Sequence, residues 1–149
     1  MGLREKIIED MKSALKSGAK LELETLRTIR AQIIEFEKRG EGTDMSEEQE
    51  IAILSSAAKK RKEAIEQYEK AGRLELAAQE KSELEIISRY LPKQLSDEEI
   101  KSVISKNISD TGASGQKDFG KVMPLVMKEL KGKADGKIIQ QLVKEALGS

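Results

Sequence analysis

The stretch Tyr90-Leu91-Pro92-Lys93-Gln94-Leu95-Ser96-Asp97-Glu98-Glu99 decides how the chain is organised. Pro92 predicts the end of the helix that precedes it, because the residue before a proline avoids helical backbone angles. Ser96 followed by Glu99 is a capping-box sequence, which predicts the start of a new helix. The stretch therefore predicts a boundary between a helical N-terminal domain, residues 1–92, and a tail domain, residues 96–149.

The apolar residues before this boundary recur at helical spacing and predict about four long helices. A second capping box, Ser46 with Gln49, predicts the start of the third helix. Glycines at Gly18, Gly40-Glu41-Gly42 and Ala71-Gly72 predict the breaks between helices. The four apolar stripes are Leu3, Ile7, Met11 and Leu15 with Ala14 beside them; Leu26, Ile29, Ile33 and Phe36; Ile51, Leu54, Ala58, Ile65 and Tyr68; and Ala77, Leu84, Ile87 and Leu91.

The tail repeats the helical spacing in three shorter segments, and no segment alternates as a strand would. Pro124 lies inside the second segment, which predicts that this helix either begins late or is kinked. Gly132 predicts its end, and Asp135 predicts the cap of the last helix. We therefore expect an all-α fold, with a long-helix N-terminal domain and a C-terminal three-helix bundle. The tail stripes are Ile100, Val103, Ile104 and Ile108; Val122, Leu125, Val126, Met127 and Leu130; and Ile138, Ile139, Leu142, Val143, Ala146 and Leu147.

The composition argues against chemistry carried out by this chain alone. It has no cysteine and no histidine, which removes thiolate nucleophiles, the usual zinc ligands and the commonest general base. Its carboxylates lie on charged helix faces, and its serines have no histidine partner. We therefore expect no catalytic site, no cofactor and no metal. Since no apolar run approaches the roughly 20 residues of a membrane span, we also expect a cytoplasmic protein without a membrane partner.

Charge is balanced over the chain, at 27 basic and 27 acidic residues, but it is unevenly placed. From Ala113 onward there are 7 lysines and 4 acids, a net charge of +3. Three of these lysines and two glycines surround a predicted helix start in Lys131–Lys137. Free backbone N–H groups, glycine and lysine in this arrangement suit a phosphate. The alternative is an ordinary helix connection with solvated lysines, which Asp135 favours because its carboxylate would repel phosphate.

Three arginines of the N-terminal domain form a second candidate anion site. Arg27 and Arg30 share a helix surface at i,i+3 spacing. They could hold an anionic ligand between helices or pair with nearby acids. Arg61 lies on the apolar stripe of the third helix, so it points inward and either snorkels or pairs with an acid from another helix. The candidate partners of Arg27 and Arg30 are Glu24, Glu35 and Glu37.

Seven segments, which together cover nearly the whole chain, carry a recognisable pattern. They are residues 26–31, 61–68, 71–73, 90–96, 112–114, 118–123 and 131–137. In this order they resemble the GatB/YqeY family, and the Tyr-Leu-Pro and Gly-Lys-Ala-Asp-Gly segments are the most specific of them. The chain is similar to a stand-alone, YqeY-like member of that family.

The resemblance implies a function in binding tRNA. In the B subunit of the glutamine-dependent aminoacyl-tRNA amidotransferase, similar helical and tail domains follow the catalytic cradle, and the tail is associated with holding tRNA. The family label would be carbon–nitrogen ligase with glutamine as amido-N-donor, but this chain lacks the cradle. We therefore expect a non-catalytic RNA-binding accessory protein. The alternatives are a protein-interaction adaptor and an amidotransferase component that requires a separate catalytic partner.

The expected partners are tRNA or another structured RNA, together with a possible tRNA-handling enzyme. Lysines of the tail are the expected phosphate contacts, because lysine supplies a compact charge. The three arginines form the secondary site. The full set of candidate nucleic-acid-binding residues is Lys117, Lys121, Lys131, Gly132, Lys133, Lys137, Arg27, Arg30 and Arg61.

Overall fold

A computed structural model describes residues 2–39 and 45–148. Within these ranges the chain forms seven α-helices and one short 3₁₀ turn, with no strand, which confirms the all-α fold class. The chain divides into two compact units, Met1–Leu91 and Pro92–Ser149, here called unit 1 and unit 2. The helices are α1 Leu3–Ser17, α2 Lys20–Lys38, α3 Glu47–Lys70, α4 Leu74–Ser88, α5 Asp97–Thr111, α6 Phe119–Glu129 and α7 Gly136–Leu147, and the 3₁₀ turn is Gln116–Asp118.

Both predicted capping boxes are confirmed. In unit 1, the Gln49 amide donates to Ser46 Oγ at 3.2 Å and the Ser46 amide donates to Gln49 Oε1 at 2.9 Å. In unit 2, the Glu99 amide donates to Ser96 Oγ at 3.2 Å and the Ser96 amide donates to Glu99 Oε1 at 3.3 Å. These bonds satisfy backbone donors that a helix start otherwise leaves unpaired. The sequence thus determines where α3 and α5 begin.

The helix ends follow local chemistry as well. Gly72 has a φ of +72° and lets the Arg73 amide donate back to the Tyr68 carbonyl at 2.8 Å, which closes α3. α4 ends at Ser88, ahead of the residue before Pro92, as the proline predicts. The break predicted at Gly40-Glu41-Gly42 lies outside the described residues.

The core of unit 1 is aliphatic and comes from all four of its helices. One prediction about its first helix is wrong: Leu15 is 66% exposed, whereas Ala14 is 3% exposed. Leu15 lies twelve residues after Leu3. At about 100° per residue, its side chain points about 120° away from that of Leu3. The buried cluster is Leu3, Ile7, Leu26, Ile29, Ile33, Leu54, Ala57, Ala58, Ile86 and Ile87.

The segment that follows α4 is held against the rest of unit 1. The Tyr90 hydroxyl donates to Asp10 Oδ2 of α1, and Arg89 Nη1 lies 3.1 Å from Glu22 Oε1 of α2. Burial and the bond to Asp10 raise the pKa of the Tyr90 hydroxyl, so it stays a hydrogen-bond donor. Unit 1 therefore ends on a fixed turn directly before Pro92.

The core of unit 2 comes from α5, α6 and α7. Contrary to one of the two predictions for Pro124, α6 does not begin late: it starts at Phe119 and continues through the proline to Glu129. Pro124 lacks the N–H that would bond the Gly120 carbonyl, but both residues are exposed and water can bond that carbonyl instead. The buried cluster is Ile100, Ile104, Val122, Val126, Leu130, Ile139, Leu142, Val143 and Leu147.

Candidate nucleic-acid interface

The turn between α6 and α7 carries the densest group of predicted phosphate contacts. Lys131 and Lys133 are exposed on either side of Gly132. Gly132 has a φ of +75°, a conformation that favours glycine. The Lys133 amide donates to the Leu130 carbonyl at 2.8 Å, which tightens the turn. Residues 131–137 are called the basic turn below.

The start of α7 is already capped by a side chain of the protein. Asp135 Oδ1 accepts from the Lys137 amide at 2.9 Å, as the sequence predicts. A carboxylate at this position occupies a free backbone donor and opposes the partial positive charge of the helix start. A phosphate at the basic turn would therefore be bound by the lysine side chains rather than by the backbone of α7.

The segment before α5 lies against the basic turn. The Leu95 amide donates to the Lys133 carbonyl at 2.9 Å, and the Gln94 side-chain amide donates to the Gly132 carbonyl at 2.7 Å. Gln94 also bonds the Pro92 carbonyl at 2.8 Å. Two carbonyl groups of the basic turn thus accept hydrogen bonds from the segment before α5, while the Lys131 and Lys133 side chains remain exposed.

A second group of lysines lies at the opposite end of α6, next to the 3₁₀ turn. Lys117 and Lys121 are exposed, and Lys121 Nζ lies 3.7 Å from Asp118 Oδ1. Asp118 accepts from the Ser114 amide at 2.9 Å; this bond and the nearby lysines lower the pKa of its carboxyl group. Asp118 is therefore an ionised structural anchor that offsets part of the local positive charge.

The structure separates the two lysine groups by the length of α6. Eleven residues of helix span about 16 Å. α7 connects the groups, because Lys137 and Lys144 lie seven residues apart on one face, about 10 Å from each other. Lys144 was missed in the sequence prediction; its Nζ lies 5.9 Å from the centre of the Phe119 ring. The i,i+7 spacing of Lys137 and Lys144 is the signal that could have revealed it.

Among the described residues, Arg27 and Arg30 do not form the ion pairs that were one of their two predicted alternatives. Glu35 pairs with Arg39 at 3.2 Å, and Glu37 pairs with Arg4 at 3.3 Å. Within residues 2–39 and 45–148, neither Arg27 nor Arg30 makes a side-chain hydrogen bond or ion pair. Both arginines are exposed on α2.

Arg61 has a different environment from the other two arginines. It is 9% exposed, its Nη1 donates to the Ala57 carbonyl at 3.4 Å, and its Nη2 lies 3.9 Å from Glu83 Oε1 of α4. The expectation that it points inward and pairs with an acid of another helix is confirmed. Its guanidinium group is therefore engaged inside unit 1, whereas Arg27 and Arg30 are exposed.

Burial and the neighbouring Glu80 raise the pKa of Glu83, against the opposing effect of Arg61, and Glu24 of α2 adds to the rise. Glu83 thus pairs with Arg61 and is also affected by the negative charges of Glu80 and Glu24. Among the described residues, no three acidic side chains are grouped so that they could hold a metal ion. Among the same residues, no helix is both long enough and apolar enough to cross a bilayer.

A family model described as Yqey-like protein matches residues 4–147, almost the whole chain. The chain belongs to the Yqey-like protein family. The resemblance predicted from the seven segments is thereby confirmed. Because the match runs across both units, the basic turn and the helices of unit 1 are both parts of the Yqey-like domain.

Two similar proteins come from fungi. An uncharacterized protein of Schizosaccharomyces pombe is 33% identical over 95 residues, which cover 64% of this chain and 73% of that protein. A Pyrenophora tritici-repentis protein named Altered inheritance of mitochondria protein 41, mitochondrial, is 26% identical over 144 residues, covering 94% of this chain and 78% of that protein.

A third relative has a name that concerns tRNA. It is a subunit of a glutamyl-tRNA(Gln) amidotransferase from Methanospirillum hungatei, 31% identical over 102 residues, which cover 66% of this chain. The match spans only 16% of that amidotransferase subunit. The part of that subunit that matches this Yqey-like chain is therefore a small fraction of the subunit's length.

Proposed function

We propose that this Yqey-like protein is a non-catalytic RNA-binding accessory, associated with tRNA, whose unit 2 holds phosphates through exposed lysines. The observation that carries the proposal is the placement of these lysines at both ends of α6 and along one face of α7. The similarity to a protein named for glutamyl-tRNA(Gln) supports tRNA as the RNA.

The lysine pattern suits the backbone of a structured RNA better than a small anion. Lys131, Lys133 and Lys137 lie at one end of the surface, and Lys117, Lys121 and Lys144 lie at the other. Point charges spread over about 16 Å can contact several phosphates of one backbone at once. Lysine makes such contacts without requiring a fixed geometry.

We keep two arginines, Arg27 and Arg30, in the proposed secondary RNA-binding site. Arg27 and Arg30 are exposed and have no ion pair within the described ranges, so they are available to an RNA partner of unit 1. We leave Arg61 out of the proposed contacts, because moving its guanidinium group to the surface would abandon Glu83.

The test is binding of bulk tRNA, measured by filter retention at several salt concentrations. Four neutralised phosphates predict a slope of log affinity against log salt of roughly −3. Reversing two charges with Lys131→Glu and Lys133→Glu should weaken binding by about tenfold or more at low salt. The matched control is Lys101→Glu with Lys106→Glu, two exposed lysines of α5 in the same unit, which should change binding much less.

No retention of tRNA at low salt would refute the proposal. Equal losses in the two double variants would also contradict it, because they would show that only the net charge of the protein matters. A protein that co-purifies with this chain even after nuclease treatment, in the absence of tRNA binding, would instead support a protein-interaction adaptor.

A second candidate is an amidotransferase component that acts with a separate catalytic partner. The similarity to the amidotransferase of Methanospirillum hungatei favours it. Since the chain matches 16% of that relative, we propose that the catalytic groups belong to the partner. Glutamine-dependent conversion of Glu-tRNA or Asp-tRNA by the purified chain alone would overturn both candidates. The cytoplasmic location remains a prediction that neither candidate requires.

A further inference from the structure

A groove of about 460 Å³ lies between α2 and α3 in unit 1. Its walls come from the C-terminal end of α2, up to Arg39, and from residues 49–60 of α3. The volume falls in the range of about 300–1,000 Å³ that is usual for small-molecule pockets. Phe36, Ala52 and Ile53 provide the apolar part of the lining.

One polar atom in this groove has no partner. Gln32 Oε1 is buried, and among the described residues it is the buried side-chain oxygen or nitrogen that lacks a hydrogen bond. Buried acceptors without a donor are rare in folded proteins, because removal from water is not compensated. The other glutamine of the lining, Gln49, has its oxygen bonded to the Ser46 amide. Gln32 lines the groove, but this oxygen has almost no accessible surface, so a ligand N–H or O–H reaches it only when the Gln32 side chain turns toward the groove.

The charge at the rim favours an anion. Arg39 is paired with Glu35 at 3.2 Å, so these two charges offset each other. Lys60 also lines the groove, is exposed, and makes no ion pair within residues 2–39 and 45–148. Ser56 lies on the same helix surface, one turn before Lys60. One uncompensated positive charge therefore remains next to the apolar lining.

We propose that this groove binds a small organic anion with an apolar body and one hydrogen-bond donor. The body packs on Phe36 and Ile53, the donor bonds Gln32 Oε1, and the anionic group faces Lys60 Nζ. The site is independent of the lysines of unit 2, so it adds a ligand function to the proposed RNA binding rather than restating it.

The test uses three probes that differ in one feature each: indole-3-acetate, 1-methylindole-3-acetate, which lacks the N–H donor, and tryptamine, which is a cation. Titration of the ¹⁵N-labelled full chain is followed by amide NMR shifts. Indole-3-acetate should shift the amides of α2 and α3 around the groove, with a Kd of about 1 mM for a ligand of this size. The methylated probe should bind about 3- to 10-fold more weakly, and tryptamine should bind more weakly still.

Variants of the lining locate the site without endangering the fold. Ala52→Phe fills the groove and should abolish the shifts. Lys60→Gln should weaken binding of indole-3-acetate, whereas Lys59→Gln, the exposed neighbour outside the lining, should leave it within about twofold. Gln32→Leu should weaken indole-3-acetate but not its methylated form, since only the first uses the acceptor.

Absence of shifts up to about 10 mM probe would overturn the proposal. Equal affinity for the two indole acetates would overturn it as well, and so would unchanged binding in both Ala52→Phe and Lys60→Gln. Loss of tRNA binding in the Lys131 and Lys133 variants would leave this result unaffected, so the two proposals fail separately.

Discussion

Units 1 and 2 both fold around aliphatic cores, but different side-chain groups connect their helices at the surface. In unit 1, ion pairs join separate helices, such as Arg61 with Glu83 and Arg4 with Glu37. In unit 2, side-chain amides make comparable connections: Gln116 bonds the Lys144 carbonyl at 2.7 Å, and Asn107 bonds Glu129 at 3.0 Å.

This difference shows two uses of charge in one short chain. Unit 1 pairs part of its basic side chains with its own acids. Two connections within unit 2 use the uncharged side-chain amides of Gln116 and Asn107, and several of its lysines extend into solvent. A surface that binds phosphates needs exposed cations of this kind. The predictions below are ordered by the size of the expected effect.

The largest effect is expected where unit 1 relies on a buried charge. Arg61→Ala removes the cation that pairs with the largely buried Glu83, so it should lower the free energy of unfolding by about 3 kcal/mol. Arg4→Ala breaks the more exposed pair with Glu37 and should cost at most about 1 kcal/mol. Urea unfolding measures both. Equal costs would show that burial of the Arg61 pair has no energetic consequence.

The next effect should be equal in the two units, because both use the same cap. Ser46→Ala and Ser96→Ala each remove a capping box, and each should destabilise its own unit by about 1 kcal/mol. Hydrogen exchange of the α3 and α5 amides reads the two units separately. A cost confined to one of the two variants would contradict the prediction.

A smaller effect is expected from pH. The pKa of Glu83 is raised above 4.5 by burial and by Glu80, despite Arg61. Between 4.5 and the raised value the folded state binds more protons than the unfolded state, so the stability contributed by Glu83 decreases as pH rises through this window. Glu83→Gln should remove this decrease and keep an acceptor for Arg61. The free energy of unfolding of the variant, taken relative to the wild type, should therefore rise between pH 4 and pH 7. A difference that does not change with pH would contradict the prediction.

The smallest effect is expected at Lys144, which the structure places next to the predicted phosphate contacts of unit 2. Lys144→Gln should weaken tRNA binding by about two- to threefold and make the salt slope less steep by roughly 0.7–0.9. Filter retention at several salt concentrations measures both. Lys106→Gln on α5 is the matched control. An unchanged slope in Lys144→Gln would exclude the α7 face from the RNA surface.

Sequence reasoning succeeded wherever a feature depends on neighbours along the chain. The starts of α3, α5 and α7 follow from Ser46, Ser96 and Asp135, and the end of α3 follows from Gly72. It failed where helical rotation carries a residue off the core face, as at Leu15, and it left the course of α6 through Pro124 undecided. For the candidate site, it found the basic turn but missed Lys144.

The sequence by itself determined where α3, α5 and α7 begin, and it predicted the boundary at Pro92, because caps, prolines and apolar spacing act within a few residues of chain. Its matching segments also predicted the family. Only the tertiary structure decided that Arg61 faces Glu83, that Gln94 lies on the basic turn, and that Gln32, which lines a groove, has a buried oxygen without a partner among the described residues. These features depend on side chains from different helices meeting. Local sequence does not encode such a meeting, since it depends on how whole helices pack.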